Sequence, residues 1–183
     1  MKLHLGSGDK RFEGFVNVDY DELSKPDYCL DIEKERWPFD NNSVDQVIAH
    51  HVFEHLGEGY FHVLKELYRV CEHGAMIDIV VPHHRHEHFA NDPTHRRAIT
   101  ADGLWLFSKK YNNSCIEQGA AASRLGHYFD VDFEVLDTTN IPDPIYIPIF
   151  TGKTLEEVER YMNEHNNIIM EVNIKLVVIK DYA

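Results

Sequence analysis

Four histidines fall within six residues, His83, His84, His86 and His88, and a fifth, His95, follows the turn Asp92-Pro93-Thr94. Imidazole titrates near neutrality. A histidine here can take a proton from an attacking hydroxyl or amine, or lend a nitrogen lone pair to a divalent metal. His83 stands first, directly after an apolar run, and is the expected general base, with Asp92 or His95 to orient it. Read as extended chain, His84, His86 and His88 share a face; read as helix, His84 and His88 do. No HExxH-like spacing fixes a metal site, so none is assigned, and a solvated loop accounts for the same residues. At the other end of the chain, Gly6 and Gly8 flank Ser7 directly after Leu3-His4-Leu5. Without a Cβ, such a turn lets a ligand lie against the backbone with its amides turned outward. Two acids, Asp19 and Asp31, follow at short intervals.

These residues need elements to hold them. Apolar runs of strand length alternate with amphipathic helical stretches, the pattern of an α/β domain with a mainly parallel sheet. Strands are expected at Lys2 to Leu5, Phe15 to Val18, Tyr28 to Leu30, Val44 to Ala49 and Ala75 to Val81. A helix over Tyr60 to Val70, with Gly74 as its stop signal, joins two parallel neighbours. A second helix is expected from Thr100 to Lys110, capped by Thr100 or Asp102, with Trp105, Leu106 and Phe107 on its packed face. The final third carries a strand over Phe133 to Leu136, a proline-punctuated segment, a helix over Leu155 to Glu164 and a long strand from Ile169 to Lys180. The two late strands pair antiparallel at a sheet edge. His51, Glu54 and His55 read as surface polar residues on a helical stretch near Val52, and Trp37 and Phe39 as core or pocket-wall aromatics. One Rossmann-like, doubly wound sheet over residues 1–183 is the expectation, mostly parallel with an antiparallel C-terminal edge strand.

The glycine turn and both acids therefore lie at the carboxyl edge of one parallel sheet, where α/β folds bind ligands. A dinucleotide fingerprint would want a third glycine at position 11, which is Arg11, and a longer first crossover than Leu5 to Phe15 allows. A carboxylate at the second strand tip can accept both hydroxyls of a ribose, and another can accept an exocyclic amine. The trio suits an adenosine without a pyrophosphate.

LHLGSG, the NVD ending in Asp19, the LDIE containing Asp31, WPFDNNSVDQVIAHHVFEHL and LKELYRVCEHG occur in an order that resembles the class I S-adenosylmethionine-dependent methyltransferases, closest to the small type 11-like group. The resemblance covers about the first half of the chain. It implies that Gly6, Ser7 and Gly8 lie against the methionine part of S-adenosylmethionine. Asp19, with Tyr20, would hold the ribose, Asp31 and Ile32 would meet the adenine, and His50 would border the methionine end. Nitrogen-methylating relatives often carry an Asn-Pro-Pro-Tyr-like motif where this chain has Val-Pro-His-His, which points to an oxygen acceptor and a histidine base.

Composition narrows the partners. Eighteen Lys and Arg face 31 Asp and Glu, a formal net charge of −13, which repels a phosphate backbone and disfavours nucleic acid. A small molecule, a sugar or a lipid-linked intermediate is the expected acceptor. The 183 residues, 43% of them hydrophobic, suffice for one core. Three cysteines without CxxC spacing read as free thiols. No signal-peptide core or membrane-length apolar run is visible, so a cytoplasmic protein is expected. Two rival readings stand beside a methyltransferase: a non-catalytic S-adenosylmethionine-binding module and a histidine-based metalloenzyme.

Overall fold

The computed structural model describes residues 1–180. Seven strands form one sheet in the order β3-β2-β1-β4-β5-β7-β6. They are β1 (Lys2–Leu5), β2 (Val16–Asp19), β3 (Tyr28–Cys29), β4 (Val44–His50), β5 (Cys71–Pro82), β6 (Phe133–Pro142) and β7 (Ile169–Val178). The first five pair in parallel, and β7 inserts antiparallel between β5 and β6. Strands are added outward on one side from β1 to β3 and on the other from β4 to β5, so the winding reverses between β1 and β4 and the crevice of an open α/β sheet falls above those strand tips.

Central strands of a parallel sheet are apolar where helices cover them. Leu3 and Leu5 of β1, Val47 and Ala49 of β4, and Ile77 and Ile79 of β5 are accordingly shut off from solvent. His4 and Asn17 are exceptions that satisfy each other: His4 Nδ1 and Asn17 Oδ1 lie 3.1 Å apart, and the Asn17 amide nitrogen donates to Phe15 O. Burial lowers the His4 pKa, keeping the ring neutral.

Helix α1 (Tyr60–Val70) turns Val63, Leu64, Leu67 and Val70 inward at helical spacing. It also anchors the stretch leading into β4. Glu66 accepts from the Trp37 N–H, while Arg69 donates to Glu66 and to the carbonyls of Trp37 and Phe39. Trp37 and Phe39 are both buried.

Three boundaries differ from expectation. Strand β5 begins at Cys71 with no loop after α1, and Gly74 is not a helix stop. Its φ of +80° lies where the β4–β5 register jumps from Val44↔Cys71 to Gln46↔Met76. The Thr100–Lys110 helix is two helices, α3 (Ala101–Trp105) and α4 (Lys109–Glu117), because Ser108 accepts from Tyr111 N and restarts the chain as a new cap. Strand β6 runs on to Pro142, paired with β7 beyond the apolar residues that announced it. The remaining helices are α2 (Glu87–Asn91) inside the histidine segment, α5 (Leu125–Phe129) and α6 (Leu155–Glu164), the last closed by a Thr154–Glu157 capping box. Among the described residues, no helix is long and apolar enough to cross a membrane.

Candidate active site

Above the β1 and β4 tips lies a cleft of about 980 Å³, within the range of small-ligand sites. Gly6, Asp19, Tyr20, Asp31 and Ile32 line one side, and His51, His55, Thr94 and Arg96 another.

The turn after β1 is set by Gly6. Its φ is +61°, and a Cβ there would come within 2.3 Å of Val52 Cγ2. Ser7 follows, buried, with its hydroxyl oxygen lacking any hydrogen-bond partner. Gly8 N–H donates to Asp19 Oδ2 at 2.7 Å, and Asp21 N–H donates to Asp19 Oδ1 at 2.9 Å. One backbone donor on each oxygen fixes the carboxylate while leaving lone pairs on both for two adjacent hydroxyls. Asp31 is held by its own turn: Glu33 N–H donates to Oδ1 and Lys34 Nζ to Oδ2. The Lys34 bond holds the Asp31 carboxyl below its ordinary pKa. Glu33 Oε2 accepts from Gly57 and Gly59 N–H at 2.8 and 2.9 Å, closing the cleft wall below α1.

A nucleoside fits this frame. The Asp19 lone pairs suit ribose hydroxyls, the orphaned Ser7 hydroxyl needs a polar partner, and no side chain would meet a Cβ placed on Gly8 within 4 Å. Gly6, Asp19, Tyr20, Asp31 and Ile32 are thus brought to one cleft. Ser7, Gly8 and His50 are not among the residues lining it; His50 Nε2 lies 3.1 Å from Asp78 Oδ2.

Its neighbour His51 does line the cleft, in a left-handed backbone conformation with φ +56°. Its Nδ1 is 3.3 Å from Glu54 Oε1 and its Nε2 is 3.2 Å from Glu171 Oε1. The Glu54 carboxylate beside it, with Glu171 on the other side, raises the His51 pKa. Glu54 is not a surface residue: it is fully buried in the turn Phe53–His55, and no N–H or O–H donor is aligned on either carboxylate oxygen.

The expected catalytic histidines separate. His83 does not line the cleft; its Nδ1 accepts from Arg85 N–H at 3.2 Å, and its backbone N–H donates to Met170 O. Burial, reinforced by His84 and Arg85, pushes its pKa down to about 4. His95 instead stacks edge-on against His55, with ring centroids 4.7 Å apart, and its Nε2 lies 3.8 Å from Asp92 Oδ2. His86 is buried with Nε2 3.4 Å from Asp143. The residues that sequence reasoning passed over are His51, Glu54 and His55. The signal available was a glutamate between the apolar residues Val52-Phe53 and Leu56, which a surface turn would not explain.

Residues 13–79 match the family described as Methyltransferase domain. No curated protein sequence matches the chain. Solved structures share its fold over nearly the whole length. An S-adenosylmethionine-dependent methyltransferase from Archaeoglobus fulgidus aligns with TM-score 0.62 at 20% identity, covering 96% of this chain and 85% of that one. One from Methanosarcina mazei gives 0.55 at 13%, covering 98% and 92%. The [4+2]-cyclase SpnF gives 0.57 at 13%, covering 98% and 75%, so the sheet alone does not fix the reaction. The sequence match over residues 13–79 and the sheet order both point to the methyltransferases: the match is to a methyltransferase domain, and the fold is the Rossmann-like one of these solved structures. Those from Archaeoglobus fulgidus and Methanosarcina mazei depend on S-adenosylmethionine.

Proposed function

We propose that the protein transfers the methyl group of S-adenosylmethionine to a hydroxyl of a small-molecule or glycan-type acceptor. The observation that supports this reading most is the Asp19 carboxylate in the cleft wall, fixed by Gly8 and Asp21 with lone pairs to spare. Bound in the cleft, the cofactor supplies an electrophilic methyl on a sulfonium. Asp19 binds the ribose, Asp31 and Ile32 border the adenine, and the Gly6–Gly8 turn admits the methionine part against the backbone. The wall carrying His51, His55, Thr94 and Arg96 receives the acceptor, whose oxygen is held in line with the methyl; such positioning supplies most of the rate in a displacement of this kind. The proton released on transfer goes to the imidazole side of the cleft. Imidazoles and a guanidinium suit a hydroxyl-rich or anionic small acceptor, while the −13 charge opposes a nucleic acid.

Calorimetry with S-adenosylmethionine and S-adenosylhomocysteine, followed by labelled-methyl transfer to a panel of sugars and small alcohols, tests the reading. Binding of both nucleosides and label in an oxygen-methylated product support it. A chain that binds neither nucleoside overturns it.

A further inference from the structure

Glu54, His55 and His95 bring a carboxylate oxygen and two imidazole nitrogens within 4.8 Å of one another. Three features mark this junction as more than a chance cluster. First, Glu54 is fully buried and neither of its oxygens has an aligned donor, although a buried carboxylate is costly unless paired or bound to a cation. The nearest protonatable group is His51, 3.3 Å from Oε1, which leaves Oε2 without any partner.

Second, both imidazoles are fixed in one tautomer. His95 Nδ1 is 2.8 Å from the Phe89 carbonyl, which can only accept, so Nδ1 carries the proton and Nε2 the lone pair. His55 Nδ1 is 2.9 Å from Thr94 Oγ1, and the single Thr94 hydroxyl proton is already given to Asp92 Oδ1 at 2.6 Å. His55 Nδ1 must therefore donate, leaving its Nε2 lone pair free as well. A carbonyl behind one histidine and a carboxylate-oriented hydroxyl behind the other are the outer groups that orient metal-binding imidazoles.

Third, the backbone locks the two segments together: Arg96 and Arg97 N–H donate to the Glu54 carbonyl at 2.7 and 3.2 Å.

We propose that Glu54, His55 and His95 form a binding site for a divalent first-row transition cation such as Zn²⁺ or Mn²⁺, at the acceptor end of the cleft. Two neutral nitrogens and one carboxylate favour such ions over Mg²⁺ or Ca²⁺, which prefer oxygen. Bonds of about 2.0–2.2 Å to one ion require the three groups to draw together on binding. Because His55 lines the cleft, the remaining coordination positions reach an acceptor oxygen there. That last role rests on the methyl-transfer reading; the binding of the ion does not.

The test uses the tag-free chain without cofactor, so a failure of methyl transfer and a failure of ion binding are read separately. Titration with Co²⁺, followed by its visible spectrum, and with Zn²⁺ by calorimetry should show one site. His95→Gln and His55→Gln should each weaken it about 100-fold or more, since even outer-group changes cost about 10–100-fold. His84→Gln/His88→Gln should leave it intact. An anomalous-scattering map of a Zn²⁺-soaked wild-type crystal should place the ion among the three residues, a result independent of how any variant folds. No saturable site, an ion seated on the His83–His88 run, or affinity unchanged in both single variants overturns the proposal.

Discussion

The backbone N–H of Gly8 points at Asp19 Oδ2 from 2.7 Å, so the glycine turn after β1 and the acid ending β2 form one hydrogen-bonded unit. Two neighbouring strand tips are locked before any ligand arrives, and the carboxylate is presented rather than left to swing.

Replacing Asp19 with Ala removes both ribose acceptors and the tie to Gly8. Hydrogen bonds to a charged group contribute about 1.5–3 kcal/mol each. S-adenosylmethionine affinity should fall by at least about tenfold by calorimetry, and undiminished affinity would place the ribose elsewhere.

Gly6→Ala should destabilise the fold by more than about 1 kcal/mol, through strain at φ +61° and the clash with Val52 Cγ2. Urea denaturation of Gly6→Ala and of Gly6→Ala/Val52→Ala separates the two causes: the second change should recover the clash part only. Equal stability of wild type and single variant contradicts the turn geometry.

His83 tests both stability and mechanism. Its folded pKa is pushed to about 4 from an ordinary 6.5 by burial among His84, Arg85 and His86. Below pH 6.5 the unfolded chain binds the proton and the folded one does not, so the stability tied to a neutral ring is full above pH 6.5. It is lost as pH falls toward 4. His4, also lowered by burial, adds to the same acid-side loss. His83→Gln should flatten the stability profile between pH 6.5 and 4 in denaturation measured across that range. With its Nδ1 engaged and its basicity weak, His83→Gln should also leave turnover near the wild-type rate; a large drop restores the sequence-based expectation of a base.

Glu33→Ala should free the Gly57 and Gly59 amides and leave them without their shared acceptor, at a cost of about 1–3 kcal/mol. Faster hydrogen exchange at those two amides, with β1 unaffected, is the expected readout.

Much of this was visible in the residues themselves. The strands through Leu3, Val18, Val47 and Ile77 announced themselves as short runs rich in Val, Ile and Leu bounded by turn residues. Tyr60–Val70 did so because its apolar positions recur at helical spacing. The placement of the glycine turn and the acids beside strand tips was legible because sequence locates strand ends. The histidines were not, because what an imidazole does depends on which atoms surround it. His83 lies closest in sequence to a strand tip yet turns to Arg85 and Met170, while His95 meets His55 forty residues away through the Arg96 and Arg97 bonds to Glu54. Glu54 was misjudged for the same reason: its burial is a property of the packed turn, not of its neighbours in the chain.

The two margins of the sheet have a consequence for how the protein behaves at high concentration. Strand β3 is only two residues long, and β6 is broken in register at Val135/Asp137 and Ile141/Pro142 and ends on a proline. Neither margin offers the long, flat row of unpaired amides and carbonyls that templates intermolecular strand addition. Ribbon-like aggregation should therefore require local unfolding first, rather than start from the native molecule.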